Sequence, residues 1–435
     1  MPKRNLLLLC LFTVVCVLAW TARDRGVHGR HFGEVLAAIE RSYLEPVDPN
    51  ALFDAAMEGV FSKLDEHSAF LDGDARQDLD AALDQEFGGV GLELSTDERA
   101  GTLVVQSPIL NSPAWRAGIV ANDRILSIDG VSTRGLKFAE AVTALRGPPG
   151  TPVTITVNDP DRVVTLDREI VRTESVLGDR RRTNGSWDWF VEGEPGIAFI
   201  RITGFGDHTL EDLDRATAEI SGEPGLCGVV LDLRGNPGGL LSVAVEVCDR
   251  LLDEGVIVST RGRGAAGDRQ DSPLDIRRAT VGTRFPGVPV VVLVDGLTAS
   301  AGEIVAACLQ DNRRAVVVGS RSFGKGTVQS ILPLSDGKSL LKLTTSEYLR
   351  PSSVNIQRRA GDAEWGVAPE AKHEIDPSAK TLEAVKAWRA SRDAVLPPDT
   401  TARSTAAAPE EAQSAAALPR QVDPVLARAL EVLAK

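Results

Sequence analysis

The stretch that most constrains this chain runs from Pro289 to Gln329. It opens with an apolar run, Pro289 to Val294, turns through Asp295, Gly296, Leu297, Thr298 and Ala299, and reaches Ser300. A second apolar run, Ile304 to Leu309, follows at a length and spacing suited to a buried helix. Ser300 therefore stands where a strand hands over to a helix, beside unpaired backbone N–H groups and a partial positive charge. A hydroxyl and a developing oxyanion can share that spot, which is what acyl transfer needs. Ser300 and Glu303 also have the Ser-x-x-Glu spacing of a capping box, in which the serine only satisfies helix N–H groups.

Two further turns bear on the choice. After a buried-looking strand, Gly228 to Leu233, comes Arg234-Gly-Asn-Pro-Gly-Gly239, then an amphipathic helix over Leu240 to Leu252. Paired glycines let the backbone approach a reacting carbonyl closely, so Gly238 or Gly239 offers an N–H that would complete an oxyanion hole with Ala301. Downstream of the strand Ala315 to Val318, Lys325 lies between Gly324 and Gly326. A lysine in a dry site loses charge stabilisation, and its neutral amine can take a proton from a serine. None of the five histidines (His28, His31, His67, His208, His373) has a comparable setting. Gly319 to Lys325 approaches a phosphate-binding loop but fails at Gly326, where a Ser or Thr would hold magnesium.

Jointly, Asp232-Leu-Arg-Gly-Asn-Pro-Gly-Gly239, Thr298-Ala-Ser-Ala-Gly-Glu303 and Ser322-Phe-Gly-Lys-Gly-Thr-Val-Gln329 resemble the carboxyl-terminal processing (tail-specific) proteases, serine peptidases with a serine and lysine pair. The resemblance covers roughly Phe32 to Glu370, and the steps from Ser300 to Lys325 and on to Gln329 fit the family's pattern. It implies that Ser300 is the nucleophile, Lys325 the general base and Gln329 the residue that orients the lysine. Asp295 and Gly302 depart from the residues many relatives carry there. A straight strand from Lys325 to Gln329 would separate their Cα atoms by about 13 Å. A bend or helical turn is therefore expected, which Gly324 and Gly326 permit.

Residues 85–170 read as a compact β domain with a short helix, Phe138 to Leu145, in the order of a PDZ domain. Such domains add a peptide as a strand and hold its carboxylate on loop N–H groups. Gly89, Val90, Gly91 and Leu92 are the candidate loop, and Arg146 is a candidate to sense the bound carboxylate or to pair across to the peptidase core, with a solvated arginine as the alternative. Around it are expected a helical region, 28–84, and an α/β layered peptidase core, 171–376, with a mixed sheet covered by helices. A helix and an Ala/Pro-rich disordered linker, 377–422, and a terminal helix, 423–435, complete an α/β multidomain chain. Family likeness implies that the helical region associates protomers into a homodimer.

Lys3 and Arg4 before the apolar run Leu6 to Trp20 lay out an export signal or membrane anchor over 1–27, which sends the rest across the inner membrane to the periplasmic side. A formal net charge of −13 argues against nucleic acid as a partner. Cys227, Cys248 and Cys308 are expected as small core fillers, with no disulfide framework and no metal site. The expected activity is cleavage of unstructured protein carboxyl ends without a cofactor. Two other readings share the motifs in part: a PDZ-bearing adaptor that binds tails without cutting them, and an acyl-CoA enzyme on the same architecture.

Overall fold

The computed structural model describes residues 26–97, 101–157, 162–263, 274–280, 282–394 and 419–435. The expected export segment lies outside them save for its last two residues, as does most of the expected linker. Among the described residues, no helix is long and apolar enough to cross a membrane. The chain forms two compact units, one holding the residues up to Asp72 with Ile331–Thr344, the other Gly73–Ser330 with Thr345–Lys435. They part inside the helical region expected at 28–84.

In the smaller unit, helices Val27–Ser42 and Pro49–Phe61 follow the apolar spacing. Asp48 accepts the Asn50 N–H at 2.9 Å ahead of Pro49, the start that an aspartate before proline encodes. Ala69–Leu71 pairs antiparallel with Leu340–Lys342. Three residues are too few to show an alternation, and the sequence gives no sign of that strand.

The larger unit opens with the helix Gly73–Asp84 and then a small β domain. Its five main strands run in the order Leu92–Asp97, Thr102–Pro108, Arg124–Ile128, Pro152–Val157, Arg162–Asp167. Leu103 and Val105, and Val153, Ile155 and Val157, point into its core at the period of two that strands impose, while a register shift between Ile125 and Ser127 lets Ile125 and Ile128 both do so. The chain enters by Glu86–Gly89 and leaves by Glu169–Arg172, which pair antiparallel.

The second body of this unit carries a five-stranded sheet, ordered Val176–Leu177, Ile197–Ile202, Gly228–Asp232, Val290–Val294, Ala315–Gly319. The last four are parallel and the first is an antiparallel edge. Both faces are covered, so Val290–Val294 is apolar throughout. Val290, Val292 and Val294 face the helices Thr209–Gly222, Leu241–Leu251 and Ala301–Asp311, while Val291 and Leu293 face the terminal helix Pro424–Leu433 through Val425, Leu426, Ala429 and Leu430. A second sheet pairs Ser346–Leu349 antiparallel with Ser259–Gly262.

Two expectations are corrected. Pro419–Val422, placed in the linker, is helical and leads into the terminal helix. Cys227 is exposed, while Cys248 and Cys308 are buried as expected. The apolar neighbours that suggested a core setting for Cys227 belong to the strand that starts after it.

The terminal helix is tied to the sheet by charge as well as packing. Arg234 donates to Asp423 at 3.0 and 2.8 Å and to Asp232 at 2.9 and 2.7 Å, and Asp423 also accepts the Val425 and Leu426 N–H groups. Burial pushes the Asp423 carboxyl up, but the Arg234 charge and these hydrogen bonds outweigh it and hold the group below its usual range. A depressed carboxyl contributes stability above its unfolded pKa of about 3.9, and loses it as pH falls through the folded value. Asp423→Asn keeps a good cap but breaks the buried pair, so it should cost about 3 kcal/mol at pH 7 in urea unfolding, with the gap to wild type closing below pH ~4. A gap that stays constant down to acid pH would show that the charge contributes nothing.

Candidate active site

The turn that carries Ser300 is stitched to the glycine turn upstream. Asp295 Oδ1 accepts the Leu297 and Thr298 N–H groups and also the Gly235 N–H, each at 3.0 Å. Thr298 Oγ1 donates to the Leu233 carbonyl at 2.8 Å, and the Ala299 N–H donates to the Asn236 carbonyl at 2.9 Å. These bonds leave Ser300 at φ 53°, ψ −116°, a backbone conformation that a side chain other than glycine rarely adopts. Such strain costs on the order of 1–3 kcal/mol and persists only where the surroundings over-determine it.

The glycine turn comes to within contact of the serine. A Cβ on Gly238 would lie 2.8 Å from the Ser300 Cβ and 3.0 Å from the Ala301 nitrogen, so only glycine allows the approach. The buried Asn236 side chain accepts the Gly238 N–H at 2.8 Å and donates to the Ile202 carbonyl at 2.7 Å. Among the described residues, no acceptor takes the N–H of Gly239 or of Ala301. Behind this turn, the Phe205 N–H donates to the Gly238 carbonyl and the Leu240 N–H to the Phe205 carbonyl. Phe205 belongs to the loop ahead of Thr209, and that loop is gripped by Gln85, whose amide donates to Thr209 Oγ1 and accepts the His208 N–H.

The lysine loop reaches the same place by a different route. The Glu303 carboxylate is fully buried and accepts four donors: Ser300 N–H at 2.9 Å, Ser322 Oγ at 2.6 Å, Gly324 N–H at 2.7 Å and Lys325 N–H at 2.9 Å. The Ser300 and Lys325 amides share one oxygen, Oε2. Burial raises the carboxyl above its usual range, and the four donors offset that only in part. Glu303 therefore does more than cap a helix. It fastens the serine turn to the lysine loop, while Phe323 N–H adds a bond to the Thr298 carbonyl at 3.0 Å.

The expected helical turn between Lys325 and Gln329 is not there. Lys325 and Gly326 are irregular, Thr327–Pro333 is a strand, and Gln329 Nε2 donates to Thr327 Oγ1 at 3.0 Å. Every backbone N–H and C=O from Gly324 to Gly326 is engaged by another segment: Glu303, Gln357, Arg358 or Tyr348. No group remains for a local turn, so tertiary bonds override the freedom that the glycines allow. Trp365–Pro369 closes over the loop, with Val367 N–H donating to Ser322 Oγ at 2.6 Å.

The residues expected to hold a peptide carboxylate form a second, separate constellation. Gly91 has φ +75° and meets Ser112 so closely that a Cβ would lie 2.2 Å from the serine Cβ. The Val90 and Gly91 carbonyls accept the Ala114 and Ile109 N–H groups, while their own N–H groups have no acceptor among the described residues. Gly89 ends the incoming strand and Leu92 begins the next. Arg146 is paired with Asp78 and lies 5.6 Å from the Phe87 ring centre. Sequence reasoning missed Tyr348 and Gln85, which act on the site from distant segments, and gave no role to Asn236, which lies inside the glycine motif two residues before Gly238. Glu303 carried a local signal in its place three residues after Ser300.

Residues 196–372 match peptidase family S41, and residues 104–159 match the PDZ domain family. The chain is 38% identical over 335 residues to a carboxy-terminal-processing protease of Bartonella bacilliformis, covering 75% of this chain and 72% of that one. It is 31% identical over 362 residues to the carboxy-terminal processing protease CtpA of Bacillus subtilis, covering 81% and 70%. The solved structure of the photosystem II D1 C-terminal processing protease is 28% identical, covers 88% of this chain and 98% of its own, and superposes with a TM-score of 0.43. The chain belongs to the carboxy-terminal-processing protease family, the serine-type peptidases of family S41 with a PDZ domain.

Replacing Glu303 by Gln puts an amide NH₂ where one of two acceptor oxygens receives buried donors. Glu303→Gln should therefore lower folded stability by about 2 kcal/mol, read from the urea midpoint. An unchanged midpoint would show that those donors readily find other acceptors.

Proposed function

We propose that the chain is an exported serine endopeptidase that cuts unstructured carboxyl tails through a Ser300–Lys325 pair. The observation that carries this reading is the convergence of the Ser300 and Lys325 amides on one Glu303 oxygen, which keeps the two turns within two hydrogen-bond lengths of each other. Neutral Lys325 takes the Ser300 hydroxyl proton as Oγ attacks the scissile carbonyl carbon. The oxyanion rests on the N–H groups of Gly239 and Ala301, since the Gly238 N–H is held by Asn236 and Gly238 instead provides the close approach. The tetrahedral adduct collapses, the leaving amine takes the proton back from Lys325, and water then hydrolyses the acyl-enzyme with the same lysine as base. Gln329 orients the lysine from the adjoining strand. No cofactor or metal takes part.

The PDZ domain would capture the substrate carboxylate on the Val90 and Gly91 N–H groups, within the Gly89–Leu92 loop, the geometry that such domains use. Arg146 would join that contact once released from Asp78. Segment 1–27 would carry the enzyme to the periplasmic side of the inner membrane, cleaved or as a tether. Exposed Val35, Leu44, Phe53, Val60 and Leu64, on or next to the helices of the smaller unit, suit association with a second copy. The expected domain limits, 28–84, 85–170 and 171–376, describe the functional parts in this reading.

Incubation with an unfolded protein tests the pair. Ser300→Ala and Lys325→Ala should each reduce cleavage by roughly a thousandfold or more, while both bind PDZ ligands as wild type does. Cleavage by wild type and Ser300→Ala alike, or by neither, would leave only the tail-binding adaptor. Because the base acts in its neutral form, the rate should climb from acid to mildly alkaline pH. A flat profile with chemistry rate-limiting would exclude a lysine base.

A further inference from the structure

The Ser300 and Lys325 amides are joined through one atom, and so are their carbonyls, by a residue that none of the three motifs contains. Tyr348 is a buried residue on the strand Leu340–Leu349, where it pairs with Thr260 of the neighbouring strand. Its hydroxyl donates to the Lys325 carbonyl at 2.6 Å and, more weakly, to the Ser300 carbonyl at 3.3 Å. Its own N–H donates to the Gly326 carbonyl at 3.0 Å. We propose that Tyr348 is a positioning residue for the proteolytic reaction, its hydroxyl fixing the spacing between the serine that attacks and the lysine that takes its proton.

Several observations bear on this. The Ser300 N–H and the Lys325 N–H meet at Glu303 Oε2; the Ser300 C=O and the Lys325 C=O meet at the Tyr348 hydroxyl. Each residue is thus held at both backbone polar groups, and by the same two atoms. Two single-atom bridges, one to each side of a residue's Cα, restrict rotation as well as distance, which one bridge cannot do. Ser300 has particular need of this, because its backbone sits in a sparsely populated region and would relax if either end were released. The Ile304 N–H also reaches the Ser300 carbonyl, at 3.0 Å, but that bond belongs to the serine's own helix and carries nothing of the lysine loop.

The phenol is suited to the task. Burial, and then the nearby Glu303 charge, push its ionisation well above the usual range for tyrosine, and Arg350 only partly offsets this. The hydroxyl therefore keeps its proton through the mildly alkaline range in which a neutral lysine works. A serine or water in its place would lack the rigid ring that sets where the donor lies.

This inference rests on the Ser300–Lys325 reading, and the test separates the two. Wild type, Ser300→Ala and Tyr348→Phe are compared on one unfolded protein substrate, with rates normalised to the folded fraction from near-ultraviolet circular dichroism. Tyr348→Phe keeps the ring and removes only the hydroxyl. It should lower kcat about tenfold or more with KM within about twofold of wild type, since a small displacement of reacting groups costs rate rather than binding. Its folded protein should also react correspondingly more slowly with a fluorophosphonate, which reads serine reactivity without peptide binding. Tyr348→Leu, which loses the ring too, should be impaired at least as much per folded molecule. Wild-type kcat and labelling in folded Tyr348→Phe, with Ser300→Ala inactive, would overturn the proposal and leave the catalytic pair standing. A larger loss for Tyr348→Phe than for Tyr348→Leu would overturn it as well. Activity that survives in Ser300→Ala would end the catalytic reading and this inference with it.

Discussion

A carboxylate taken fully out of water is costly unless its lone pairs are filled, and Glu303 fills them with donors from two stretches of chain that are far apart in sequence. The serine turn supplies one amide; the lysine loop supplies two more and a hydroxyl. The carboxylate can be satisfied only when both turns are in place, so its desolvation links their folding. The shape of the site follows from that coupling. A strained serine stays at its unusual φ and ψ, and a glycine-flanked lysine stays in its irregular loop, because leaving would strand the buried carboxyl.

The sheet supplies the rigid base for this arrangement. Its four parallel strands end near one another, and the turns that follow Gly228–Asp232 and Val290–Val294 are joined directly by Asp295, Thr298 and Ala299. The glycine turn is buttressed from two other directions. Arg234 anchors its start to Asp232 and to the cap of the terminal helix, while Phe205 pairs with its glycines from the loop held by Gln85. Gln85 immediately precedes the strand Glu86–Gly89 by which the chain enters the β domain, so the support of the glycine turn begins at that entry. Asn236 adds a decision of its own, since by occupying the Gly238 N–H it leaves Gly239 as the open donor of the pair.

Much of this was legible in the chain. The strand Ile197–Ile202 and the helix Phe138–Leu145 lie where their apolar spacing put them, and Asp48-Pro49 and Asp423-Pro424 start helices by local capping. Local chemistry decides such features, and local sequence therefore reveals them. Ala69–Leu71 was not legible, because its strand character comes from its partner. The turn expected after Lys325 failed for a related reason: glycine permits many conformations, and bonds from Gln357, Arg358 and Tyr348 selected an irregular one that runs straight into the strand.

By itself the sequence determined the family, the alternation of strands and helices, and the three glycine-rich turns, because residue type and spacing encode these within a few turns of chain. The tertiary structure alone decided that one Glu303 oxygen and one Tyr348 hydroxyl would each bridge Ser300 to Lys325, and that Gly239 would keep its N–H open. Those outcomes depend on which buried donors and acceptors come within about 3 Å of each other. That distance is set by packing between segments that no local pattern connects.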